Sequence, residues 1–164
     1  MTGCVRRVVF GMTMISGCSF GLGDPTLQTE SLDGDVTLTT SATSYDWEGT
    51  GIEAALANVG GQPYYARLGD AFNAAEEQEV LFAAFGSDAY LERLEGDTWV
   101  AVDRVFLVEG VKFVVLYPNS TYTLFAHFTG PKVAGTYRLR VEYYDGADGG
   151  PKVGDAVSNP FEVH

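Results

Sequence analysis

Cysteine is absent from the last 146 residues of this 164-residue chain; the two it has are Cys4 and Cys18. Whatever folds beyond position 18 therefore has no disulfide, no thiol nucleophile and no thiolate metal ligand of its own. Basic charge is scarce: 10 Lys and Arg stand against 22 Asp and Glu, a formal net charge of −12. That excludes the clustered basic surface nucleic acid requires, and equally a polybasic membrane patch. Long apolar runs are missing as well. Residues 8–15 form a short one broken by Gly11 and Thr13; as a helix it covers roughly 12 Å, against a hydrocarbon core of about 30 Å. No later stretch approaches the ~18 uninterrupted apolar residues of a membrane helix. There is no G-x-S-x-G, no H-E-x-x-H and no phosphate-binding glycine loop.

What is present points to a β protein. Apolar residues make up 46% and aromatics 13%, with Gly 20 and Tyr 9, which excludes a disordered chain. The length favours one domain.

The first 18 residues have the layout of an export signal: Arg6-Arg7, an apolar stretch, then a small-residue exit. The exit, Ile15-Ser16-Gly17-Cys18, resembles the lipobox of bacterial lipoproteins: an aliphatic residue, two small residues and a cysteine. An ordinary secretory signal or a buried first strand is the alternative. The resemblance implies cleavage between Gly17 and Cys18, and lipid attachment to the Cys18 sulfur. Removing 17 of 164 residues leaves 147, enough to bury about 68% of the unfolded surface without staples. Loss of Arg6 and Arg7 leaves 8 basic against 22 acidic side chains, or −14. Ser19, being other than Asp, implies the outer membrane where the cell has one. The organisation expected is a signal peptide over 1–17, a lipidated tether over 18–34 and one domain over 35–164.

Beyond the tether the hydrophobic period is close to two. Asp35-Val-Thr-Leu-Thr, 52–58 and 63–68 are strand candidates bounded by turn signals. For 70–85 a cap at Asp70 and good helix formers suggest a short helical turn at about 71–78, then a strand through Val80. Residues 89–94 and 98–102 flank Glu95-Gly96-Asp97 as a hairpin. Residues 111–116 are apolar, and Pro118-Asn119-Ser120 turns the chain into 121–128. Over 136–143, Tyr137, Leu139, Val141 and Tyr143 separate completely from Thr136, Arg138, Arg140 and Glu142. A Gly- and Asp-rich loop is expected over 145–155, and a last strand through Phe161 and Val163. Seven to nine short strands with almost no helix predict an all-β antiparallel sandwich, with a closed barrel as the rival.

Ala134-Gly135-Thr136-Tyr137-Arg138-Leu139-Arg140-Val141, followed by Ser158-Asn159-Pro160-Phe161-Glu162-Val163, resembles the closing strand pair of bacterial immunoglobulin-like domains. Tyr45, Gly49, Ile52, the stretch 58–65 and the hairpin 91–102 are similar to earlier parts of that family. The resemblance spans 35–164 and implies an immunoglobulin-like β-sandwich. It also implies that Tyr137 makes a tyrosine corner, its hydroxyl bonding to upstream backbone. The inter-sheet cysteine pair of antibody domains is lacking.

Candidate site residues are few. Tyr45 and Trp47 flank Glu48-Gly49-Thr50-Gly51 as an aromatic contact for a protein or carbohydrate partner, or as cover for the sandwich's open end. Asp145 and Asp148, with Asp155, could hold a hard cation, or form a plain hairpin loop. Glu76, Glu77 and Glu79 could pair for hydrolysis, but read as a solvated surface. His127, expected to share an outward face with Thr123 and Phe125, and His164 lack the partners a metal site or triad needs. The function expected is a non-catalytic, extracytoplasmic binding module held to the membrane by its lipid, without a cofactor. A peptidase inhibitor using the 145–155 loop as bait is the alternative, and a hydrolase a remote third.

Overall fold

The computed structural model describes residues 34–46, 51–73, 78–83, 87–103, 111–126 and 133–164. The signal segment 1–17, Cys18, the tether up to residue 33, Trp47, Glu76, Glu77 and His127 lie outside them, as does the Glu79 side chain.

The described residues form twelve strands: β1 (Val36–Thr40), β2 (Ser44–Tyr45), β3 (Ile52–Asn58), β4 (Tyr64–Asn73), β5 (Gln78–Ala83), β6 (Ala89–Glu95), β7 (Thr98–Asp103), β8 (Lys112–Leu116), β9 (Ser120–Ala126), β10 (Gly135–Tyr144), β11 (Lys152–Val157) and β12 (Phe161–Val163). Among the described residues there is no helix. One sheet runs β1-β3-β9-β5 and ends on the second half of β4. The other is built around β10, which pairs with β11, β12, β4 and β6, with β7 beyond β6, β8 beyond β4 and β2 beyond β12. Gly69, buried, stands where β4 changes partner, from Leu68 opposite Lys112 to Gly69 opposite Phe82. A residue without a side chain suits such a bend in a long strand.

Alternation puts one face of each sheet into a common core. Leu38, Leu56, Leu81 and Leu124 come from the first sheet; Leu68, Leu91, Leu116, Leu139, Val141 and Phe161 come from the second, none more than 4% exposed. Each such side chain contributes roughly 1.5–3 kcal/mol relative to exposure. The molecule is an all-β sandwich.

Three expectations are corrected. Residues 71–73 and 78 of the expected helical turn are strand instead, 74–77 lying outside the described residues: Ala71, Phe72 and Asn73 continue β4 and pair with Val80, Glu79 and Gln78 of β5. Sheet pairing overrides a weak helical preference worth a few tenths of a kcal/mol per residue. The loop over 145–155 stops at 151, because 152–157 pair with β10 as β11. Gly154 disguised that strand. Its missing side chain is required there, since a Cβ would come within 2.7 Å of the Tyr143 hydroxyl. Finally, the described residues form twelve strands rather than seven to nine, and two of their pairings, β5 with β9 and β12 with β2, are parallel. Ser158-Asn159-Pro160 divides the closing strand into β11 and β12: Ser158 Oγ accepts from Leu139 N at 2.9 Å, and Asn159 Oδ1 accepts from Thr40 N at 2.9 Å.

The hairpin between β6 and β7 turns on Gly96 at φ 61, with positive φ at the first central position only, the pattern of a type II′ turn. At the start of β10, the Tyr137 hydroxyl donates to Val133 O at 2.6 Å. This is the expected corner, four residues upstream. Tyr137→Phe should keep the ring packed while leaving that carbonyl short of a donor. It should lower unfolding free energy by about 1 kcal/mol, measured as a drop in urea midpoint at unchanged slope.

Candidate functional site

The outward residues of β10 face solvent together with those of β6, β7 and β11. Register sets their neighbours: Arg138 lies opposite Glu92, Arg140 opposite Tyr90, Glu142 opposite Asp155, and Leu94 opposite Trp99. The Glu92 carboxylate accepts from Arg138 Nε through one oxygen and from Arg140 Nε through the other, both at 2.7 Å. Its side chain is only 8% exposed, against 20% for each arginine. The guanidiniums also lie over aromatic rings, Arg138 4.4 Å from the Trp99 centroid and Arg140 4.2 Å from that of Tyr90.

Glu142 and Asp155 are like charges placed opposite each other, an arrangement that costs stability unless bridged. Two cations bridge them. Arg140 Nη1 reaches Glu142 at 2.9 Å and Asp155 at 3.0 Å; Lys152 Nζ reaches the same pair at 3.1 and 2.9 Å. Burial alone would push the Glu142 carboxyl up, but Lys152, Arg140 and the Tyr144 hydroxyl hold it below its ordinary 4.5. Burial would depress Arg140, and the hydrogen bonds it donates to Glu92, Glu142 and Asp155 outweigh it, leaving the guanidinium more basic than usual. Burial and a 2.9 Å bond to Asp88 raise the Tyr144 hydroxyl.

The Glu142 carboxyl, held low and engaged with cations, is the opposite of the raised carboxyl a general acid needs. Arginines stacked on aromatics, rimmed by Leu94 at 38% exposure, have the composition enriched at protein interfaces.

Of the residues singled out from sequence, Tyr45 is half-buried at the sandwich end. Its ring meets Phe161 edge-on at 5.2 Å, and its hydroxyl accepts from Ala42 N and donates to Glu53 O. Asp145 and Asp148 are exposed on a loop closed by Asp145 N to Pro151 O at 3.4 Å. Asp155 is drawn instead to Arg140 and Lys152, and among the described residues no three His, Cys, Asp or Glu gather as a metal set. His164 is exposed and its backbone N–H donates to Tyr45 O. The charged face was half visible in sequence as the polar set of 136–142. Glu92 and Trp99 join it only through strand register.

Comparison with known protein families, characterised proteins and solved structures finds no match to this chain.

Glu92→Ala should leave two guanidiniums without their common carboxylate and cost about 2 kcal/mol, below the 3–5 of fully buried pairs because the arginines are partly solvated. Chemical denaturation at neutral pH measures it. The pH profile follows from Glu142 and Tyr144. A carboxyl lowered by folding gives stabilisation that is complete above pH 4.5 and lost as pH falls through its folded value. A raised tyrosine gives stabilisation that is complete below pH 10.0 and lost as pH rises through its folded value. Urea midpoints should form a plateau between those limits, and Glu142→Gln should flatten the acid side.

Proposed function

We propose that this chain is a non-catalytic, lipid-anchored module of immunoglobulin-like build that works outside the cytoplasm and engages a protein partner across the outward face of β7, β6, β10 and β11. The observation that carries the reading is Ile15-Ser16-Gly17-Cys18, behind Arg6-Arg7 and ahead of a domain with no other cysteine. A thiol spent on a thioether leaves nothing to oxidise in an oxidising compartment. Several acyl chains at one terminus anchor firmly, whereas one holds only marginally.

The tyrosine corner at Tyr137 and the Ser158-Asn159-Pro160 break support the immunoglobulin-like build. The binding role is supported by a face whose acids are paired with cations in fixed geometry. The twin arginine–aromatic stacks offer a partner rigid, amphipathic contacts at low ordering cost. No cofactor enters this reading.

Cys18→Ala should move the protein from the membrane fraction to the soluble fraction and abolish incorporation of labelled palmitate. Unchanged fractionation would overturn the anchor.

A further inference from the structure

Two large apolar side chains, Val59 and Tyr117, each 60% exposed, stand at the end of the sandwich where the chain enters its first strand. Val59 N–H donates to Asp35 O at 2.7 Å, so the turn after β3 lies against the residue preceding β1. Asn58, 1% exposed, ties this turn to the one after β8: its Nδ2 donates to Gln62 O and to Leu116 O, both at 2.8 Å, and its Oδ1 accepts from Gly60 N. Tyr117 opens a tight turn in which Ser120 N–H donates back to Tyr117 O, with Pro118 at the second position and Asn119 at φ 58 at the third, a type II turn. The Tyr122 hydroxyl holds that turn from beneath, accepting from Tyr117 N and donating to Val115 O, each at 3.1 Å. Both side chains are thus displayed from fixed backbone.

We infer that this end is a membrane-contacting tip, Tyr117 and Val59 resting in the headgroup region of the bilayer that holds the Cys18 lipid. The inference rests on the anchor proposed above. Cys18 precedes Gly34 by 16 residues, a span of at most about 55 Å, so this end is the one nearer the anchor along the chain. Confinement on that scale makes a contact too weak to recruit a free protein effective for a tethered one. Tyrosine is a residue of membrane interfaces, its ring apolar and its hydroxyl wet. In a chain of net charge −12, the two turns 58–63 and 117–121 hold no charged residue. Exposed Asp35 beside the Val59 turn, and Asp145 and Asp148 on the loop after β10, oppose contact with anionic lipid, so the contact strengthens with added salt. The opposite end carries Tyr45 and the C-terminal His164, leaving them and the charged face free to meet a partner.

The test uses the lipidated full-length protein on vesicles of phosphatidylethanolamine and phosphatidylglycerol. Lipidation occupies Cys18, so Tyr117→Cys, Val59→Cys and, at the far end, Thr43→Cys each supply a single thiol for a nitroxide label. Labels at 117 and 59 should be open to membrane-dissolved oxygen and several-fold shielded from a water-soluble nickel chelate, while the label at 43 is not. Equal accessibility at all three sites in protein that floats with the vesicles would overturn the tip and leave the anchor standing. Failure to float would overturn both. Shielding that grows with protein density in the bilayer would identify a second copy as the occupant and also overturn the tip.

Discussion

Ten residues of β10 hydrogen-bond to four other strands, and their alternation divides every environment in the second sheet. Tyr137, Leu139, Val141 and Tyr143 turn inward; Arg138, Arg140, Glu142 and Tyr144 turn outward. A slip of one residue would drive two arginines and a glutamate into an apolar core and expose four large side chains. The cost would be several kcal/mol for each unpaired charge. Register is therefore held by both faces at once: hydrophobic burial within, and Glu92 clasped by two guanidiniums without.

The two ends of the sandwich are closed by different chemistry. One is aromatic and rigid: Tyr45 meets Phe161 edge-on at 5.2 Å, Phe161 stacks on Tyr137 at 6.4 Å, and the Tyr137 hydroxyl ties down Val133. The other is knitted by polar groups. There Asn58 spans two turns, and the Tyr64 hydroxyl, accepting from Gln62 and donating to Asp35, is raised by its bond to that carboxylate. Burial of Asn58 costs little because its amide is paired on both sides. The outcome is a domain with distinct poles, its N-terminal approach at one and its C-terminus at the other.

The corrected expectations share a cause. Residues 71–73 and 152–155 have the composition of a helix start and a loop, since Ala, Asn, Gly and Asp all have low strand preference. Each lies in a strand because of what lies beside it. Val80 and its neighbours complete the hydrogen bonding of 71–73, and Tyr143 requires the empty space at Gly154. Tyr137 was legible because its corner is local, four residues long. Glu92 was not legible as part of a charged face, because 46 residues separate it from Arg138.

Sequence alone determined what depends on order and period. The cysteines end at position 18, and strict alternation over 136–143 forces a two-faced strand, because side chains on a pleated backbone point to opposite sides in turn. Which strands lie beside one another, and so which carboxylate meets which guanidinium, was decided only by the tertiary structure. Ladder hydrogen bonds are made by backbone groups common to every residue, so pairing partners are selected by how whole faces pack and not by any local signal in the chain.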